Sequence, residues 1–244
     1  MKINKITLVV CCIVAMFGAC KKDDTTGGGT TTTTECQVKK ATLLGGIGEV
    51  FYEYDSQKRL SREISNFFGS DTTNYSYGAN QIIARKKGPF SDLQTDTATL
   101  NSSGYIVKLR GTSDSEDYTY NSDGYLTRLT RQDGSYSLYA YANGNRVQEK
   151  QYSATNVLNE TITLEYTTDI GIGNSVMNGS NAAFKQGKDS GKLPSKVTDS
   201  TSVTTFKNIV KNAKGYPTSF TASSTDISDN SVTEFNFSFE YNCP

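Results

Sequence analysis

Histidine and tryptophan are both missing from these 244 residues. Without an imidazole there is no Ser-His dyad, no imidazole base and no His-containing zinc site, so catalysis would fall to carboxylates, tyrosines, lysines or a recruited ion. The acids offer little: 25 Asp and Glu are scattered among turns and a polar N-terminal stretch, and sequence alone sets no pair of them across a cleft. Neither charge is in excess, with 25 basic against 25 acidic residues, so no broad basic footprint marks the chain for nucleic acid. Apolar residues are scarce at 35%, where average globular domains carry roughly 45 to 50% on a similar set. A one-sided sheet needs fewer apolar positions than a two-layer core. Helix-period apolar patterns are also lacking, and no long helix is expected. The one long apolar run, Ile6 to Phe17, is too short to cross a bilayer comfortably.

What is abundant is Thr, Ser, Tyr, Phe and Val, the residues of strands. The unit is clearest from Tyr118 to Leu129: aromatics alternate with small polar residues, Asn121-Ser122-Asp123-Gly124 makes a turn, and a second strand returns. Taking Tyr120 as an anchor, equivalent positions fall at Tyr54, Tyr77, Leu100, Tyr141, Tyr166 and Tyr241, the first five copies about 20 to 23 residues apart. Two places earlier stand Tyr52, Tyr75, Tyr118, Tyr139, Leu164 and Phe239, on the same face by period two. Six places later stand Leu60, Ile83, Ile106, Leu126 and Val147, expected to face the same way. That offset calls for a three-residue loop with a left-handed residue and a bulge, and Gly104, Gly124 and Asn145 occupy the left-handed place. Tandem hairpins of this kind predict an all-β antiparallel meander, curled into a curved sheet or an open or nearly closed barrel, with two stacked sheets as the alternative.

Residues 1–19 carry Lys2 and Lys5, the apolar run and a small-residue end, the layout of a secretory signal. Phe17-Gly18-Ala19-Cys20 resembles the bacterial lipobox, which implies that the signal is removed and that Cys20 carries lipid. Lys21-Lys22-Asp23-Asp24 resembles the export signal of Bacteroidota surface lipoproteins, so an outer-membrane, surface-exposed location is favoured over a periplasm-facing one. Residues 20–35 form a Thr- and Gly-rich tether, and residues 36–244 a single repeat domain. Loss of Lys2 and Lys5 leaves side-chain charges of 23 − 25 = −2.

The mature body keeps two cysteines, Cys36 and Cys243, one at each end. In an oxidising compartment this pair reads first as a disulfide closing a loop of roughly 200 residues, with two free thiols as the alternative. The Gly- and Asn-rich segment 171–191, with Ala182-Ala183-Phe184 its apolar cluster, is too long for an ordinary hairpin loop and reads as a loop or short helix over one end of the sheet.

Tyr52, Tyr54, Tyr118, Tyr120, Tyr139 and Tyr141 have two readings: core, favoured because apolar partners recur on their face, or a concave face that stacks on sugars or contacts lipid. Strands of about five to seven residues and the polar residues between aromatics argue against a transmembrane barrel. Asn121-Ser122-Asp123-Gly124 lacks the further ligands of a calcium loop, and Gly171-Ile172-Gly173 the context of a dinucleotide fingerprint; both read as turns. Asp24-Thr25-Thr26, Asp71-Thr72-Thr73, Asp96-Thr97-Ala98 and Asp199-Ser200-Thr201 resemble O-glycosylation acceptors of exported Bacteroidota proteins, a match expected by chance in so Thr-rich a chain.

Tyr52-Glu53-Tyr54-Asp55 with Leu60, and Tyr118-Thr119-Tyr120-Asn121 with Gly124 and Leu126, look like divergent tyrosine-aspartate repeats of Rhs-type shells. Together with the lipobox, the tether, Leu193-Pro194-Ser195-Lys196-Val197 and the terminal Tyr241-Asn242-Cys243, the chain resembles a Bacteroidota lipoprotein family of unknown function with a porin-like fold. The resemblance implies no catalytic residues. The expected function is a non-enzymatic binding or structural module, held to the membrane by its N-terminal lipid, with a glycan or protein partner and no nucleic acid, cofactor or metal. The alternatives are a carrier of lipid or small apolar ligands using the hollow of the sheet, and a carboxylate hydrolase.

Overall fold

The structure, a computed structural model, describes residues 36–67, 69–89, 92–112, 115–166, 183–188 and 192–243. The signal, Cys20, the tether and most of the 171–191 segment lie outside these. Strands run β1 Gln37–Leu43, β2 Gly48–Tyr54, β3 Leu60–Ser65, β4 Asp71–Tyr77, β5 Gln81–Lys87, β6 Gln94–Leu100, β7 Ile106–Arg110 and β8 Ser115–Tyr120. They continue with β9 Leu126–Arg131, β10 Tyr136–Ala142, β11 Asn145–Tyr152, β12 Leu158–Glu165, β13 Lys196–Thr198, β14 Ser202–Lys211, β15 Pro217–Asp226 and β16 Val232–Asn242. Each pairs antiparallel with the next, and β1 pairs with β16, so the expected all-β antiparallel meander curls into a barrel, here fully closed, and not into two stacked sheets. Helical structure among the described residues is a single 3-10 turn, Leu44–Gly46.

The anchors mark the ends of the even-numbered strands, and their hairpins share one local device. Asp55, Asn101, Asn121 and Asn212 each open a turn by accepting, on the side-chain oxygen, the backbone N–H groups two and four residues on. Such a side chain imitates a backbone turn and fixes the loop before any tertiary contact forms. Lys58, Gly104, Gly124 and Gly215 take the left-handed conformation that closes these turns. A bulge then pairs Tyr54 with Leu60, Leu100 with Ile106 and Tyr120 with Leu126, the expected six-residue offset.

Two hairpins depart from that offset. Between β4 and β5 the loop is only Ala79-Asn80 and no bulge intervenes, so Tyr77 pairs with Ile82, and Ile82 rather than Ile83 is buried. Between β10 and β11 the left-handed pair is Asn143-Gly144, not Asn145; both residues have positive φ, as a two-residue hairpin turn requires. Tyr141 therefore pairs with Arg146, and Arg146 rather than Val147 takes the buried position.

Register and burial together divide the wall into an inner and an outer face. Inside, Tyr52, Tyr75, Ala84, Ala98, Leu109, Tyr118, Leu129, Ile162 and Val197 form a single buried cluster with a phenyl-rich arc on β14 to β16. In that arc Phe220 packs on Phe237, Phe239 and Phe206 at ring separations of 5.0, 5.6 and 5.8 Å. Sixteen strands in an open round barrel would enclose an aqueous channel. Here the mid-height lining is shielded from water, so the interior is a core and not a pore.

Outside, the chemistry reverses. Thr72, Asn74 and Ser76 of β4, Thr95, Thr97 and Thr99 of β6, and Glu234, Asn236, Ser238 and Glu240 of β16 point away from the core. Strands β14, β15 and β16 have 10, 10 and 11 residues, longer than the sequence suggests and long enough to cross a bilayer, so strand length does not decide the question. Outward Lys and Arg side chains stand on β1, β3, β5, β7, β9, β11, β13 and β14, and a lipid-facing Lys or Arg at a bilayer midplane costs roughly 2 to 4 kcal/mol. No helix among the described residues is long and apolar enough to cross a membrane.

Candidate functional site

The six tyrosines proposed as a binding face all line the inner wall. Tyr52 and Tyr118 are buried, while Tyr54, Tyr120, Tyr139 and Tyr141 are half-buried, so a ligand reaching them would have to enter the barrel. Burial raises the hydroxyl pKa of Tyr52, Tyr54, Tyr118, Tyr120 and Tyr139, holding all five as neutral phenols. Tyr54 donates to the Val38 carbonyl at 2.9 Å and Tyr120 to the Ile106 carbonyl, so two of the hydroxyls serve the wall itself.

Among these rings stand charged groups that sequence reasoning did not single out. Glu63 pairs with Tyr52 across the β2–β3 ladder and is 6% exposed. Burial pushes its carboxyl up to about 7, eased by the Tyr75 hydroxyl that donates to it at 3.4 Å and by the Lys86 ammonium. Lys86 is itself held by Asp71 at 3.1 Å. On the far arc Glu149 accepts from Gln151 Nε2 at 2.9 Å and lies 3.9 Å from the Arg146 guanidinium, which sits 5.4 Å from the Tyr139 ring centroid. Arg131 donates to Ser137 at 3.1 Å, and Tyr118 donates to Glu116. The signal for all of these was the register: one residue of slip moves a whole strand to the other face.

These groups solvate one another, as buried charge must. The partners of Glu63 are phenols and an ammonium, and those of Glu149 a guanidinium and an amide. Among the described residues no three His, Cys, Asp or Glu side chains converge as a metal site. Asn121, at the calcium-loop fragment, spends its side-chain oxygen on the turn, accepting from Asp123 and Tyr125.

One end of the barrel carries the hairpins that join even-numbered strands to odd ones, the anchors, and the joined Cys36 and Cys243. The described part of the 171–191 segment, residues 183–188, lies over this end as irregular chain with a turn and a bend, and none of these six residues is helical. Lys185 accepts from the Ile106 N–H at 2.9 Å, and the Lys188 N–H donates to Gly124 at 2.8 Å. Just before them Phe184 enters the core, 1% exposed, edge-on to Tyr75. Gly187 has φ +95° and lies so close that a Cβ would come within 2.7 Å of the Gly124 carbonyl oxygen and the Tyr120 ring. Residues 183–188 thus fit against this end as a stopper.

No family model matches the chain, and no curated protein does. Among solved structures it is similar to a porin-like protein from Bacteroides uniformis, at 18% identity with a TM-score of 0.64, over 84% of this chain and 96% of that one. A porin-like protein from Bacteroides vulgatus is similar at 14% identity and a TM-score of 0.58, over 84% of this chain and 98% of that one. At these identities the likeness is one of fold: a porin-like antiparallel barrel, as the sequence resemblance implied.

Proposed function

We propose that this protein is a lipoprotein anchored through Cys20 to the outer membrane, exposed at the cell surface, whose barrel stands clear of the bilayer as a non-enzymatic binding or structural module for a glycan or protein partner. The observation that carries this reading is the inversion of the wall: apolar and aromatic side chains inside, hydroxyls, amides and charges outside. Such a barrel is wetted on its outer face and filled within, so it neither sits among lipid tails nor conducts, and its outer surface is what remains for contact. A carrier of apolar ligands is disfavoured by the same burial, because its inner wall would stand open. The partners of Glu63 and Glu149 argue against hydrolysis by an acid pair.

The experiment is fractionation. The wild-type chain should partition with membranes and give an intact mass equal to residues 20–244 plus lipid. A Cys20→Ala chain, exported on an ordinary cleavable signal in place of residues 1–19, should be recovered in the soluble fraction. If that chain stays in carbonate-washed membranes, the barrel itself holds the bilayer and the proposal is wrong.

A further inference from the structure

The two halves of the outer wall carry their charges differently. From β12 through β16 and β1 to β3, four of the six exposed or outward cations on strands have a counter-ion, Lys196 with Glu165, Lys207 with Glu234, Lys40 with Glu49 and Arg62 with Glu53, the other two being Lys39 at the β1 bulge and Lys211 at the end of β14. From β4 to β11 most strand acids face inward, as with Glu116 and Glu149, and six of the nine strand bases face outward, Lys86, Arg131 and Arg146 being the inward three. Arg85 and Lys87 of β5, Lys108 and Arg110 of β7, Arg128 of β9 and Lys150 of β11 stand on this half, against one outward acid, Asp117, which is bonded to Arg110 at 2.7 Å.

These cations recur on alternate strands. Between them β6 presents Thr95, Thr97 and Thr99, and β10 presents Tyr136, Leu138, Ala140 and Ala142, an outward row that is apolar when every neighbouring strand's is polar. Two strand spacings set the columns of charge about 10 Å apart. Beside them the Arg128 guanidinium lies 3.9 Å over the Tyr136 ring, which stacks on Tyr152 at 4.9 Å and 11°. Leu138, Leu158 and Val157 continue this strip, 37, 48 and 58% exposed.

We propose that the outer wall from β5 to β11 binds a linear acidic polysaccharide laid across the strands. This rests on the reading of the barrel as a binding module and names its ligand class. The charge columns repeat on the scale of a disaccharide, so a polymer with one anionic group per disaccharide meets a cation at each repeat. The Tyr136–Tyr152 strip supplies the apolar surface against which sugar C–H faces pack. Self-association through this wall would bring Arg128 and Lys150 against their own copies, which like charge opposes.

The test uses the soluble Cys20→Ala chain with chondroitin sulfate, neutral dextran, and vesicles of phosphatidylglycerol and phosphatidylethanolamine as probes. Binding to chondroitin sulfate should weaken by at least about tenfold between about 50 and about 200 mM salt, as charge-driven association does. Joint substitution Arg85→Gln, Lys108→Gln, Arg128→Gln and Lys150→Gln should weaken it by at least about tenfold with the melting temperature unchanged, because these side chains contact only solvent or the outer wall. Lys40→Gln, Lys196→Gln and Lys207→Gln together, on the ion-paired half, should leave it within about twofold. No binding to chondroitin sulfate, equal loss in both variants, or binding to vesicles alone would overturn the proposal. Equal binding to dextran would overturn it too, while leaving the binding-module reading intact.

Discussion

Glu63 illustrates what one residue of register costs. It lies three places after Leu60, and because the β2–β3 bulge consumes one of those places, its carboxylate faces the core opposite Tyr52. Its pKa is raised from 4.5 to about 7, first by burial, with the Tyr75 hydroxyl and Lys86 opposing. The folded state thus holds the proton more tightly than the unfolded chain, and stability falls as pH rises from about 4.5 through about 7. Ionising the group costs on the order of 3 kcal/mol by that shift. Glu63→Gln keeps the shape and removes the titration. Urea unfolding of the variant should give equal or lower stability than wild type near pH 4, higher stability at pH 8 by an amount on the order of that cost, and a flatter profile between. A wild-type profile that does not fall across this window would mean that Glu63 is solvated by more than Tyr75 and Lys86.

At the scale of the hairpin, the anchor tyrosine explains itself by what its hydroxyl does. Tyr54, Tyr77, Tyr120 and Tyr241 each donate to a carbonyl on the preceding strand: Val38, Leu60, Ile106 and Pro217. Each of those carbonyls lies beyond the point where that pair of strands begins its ladder. A half-buried carbonyl without a partner is costly, and the phenol supplies one where the strands splay. The exception agrees: between β5 and β6 the ladder runs to its end, Leu100 N–H bonding to Asn80, and the anchor there is a leucine. Tyr120→Phe should therefore lower the unfolding free energy by about 1 to 3 kcal/mol, read by urea titration, while the fold is kept. A loss below about 0.5 kcal/mol would make the anchors mere ring packing. The alternation and the Asn- or Asp-led turns were legible in the chain because they are local. The five-residue offsets at Ile82 and Arg146 were not, because a bulge and a two-residue loop leave similar sequence traces and differ only in which face the next residue meets.

For the whole molecule, closure is the property that local reading reaches last. Each hairpin specifies its own twist and turn, but whether the first strand meets the last depends on strand number and shear summed around the wall. The repeat was lost after Tyr166, where the long insertion and the three-residue β13 break the spacing, so neither the strand total nor the stopper built around Phe184 followed from periodicity. The one long-range signal was the pair of cysteines. Cys36 and Cys243 are joined with Cα atoms 4.2 Å apart across 207 positions, beside the β1–β16 ladder that seals the barrel. Ladder and bond act on different states: the hydrogen bonds from Gln37 to Thr42 hold the native seam, whereas the disulfide chiefly restricts the unfolded chain. Replacing both cysteines by Cys36→Ser and Cys243→Ser should therefore leave the far-ultraviolet circular dichroism of the folded barrel unchanged. It should lower the unfolding free energy by about 4 to 5 kcal/mol, with the reduced wild-type chain matching the variant. If instead the folded variant loses hydrogen-exchange protection along β1 and β16 while the rest of the barrel keeps its own, the bond is what closes the wall, and the seam's hydrogen bonds are not sufficient to do so.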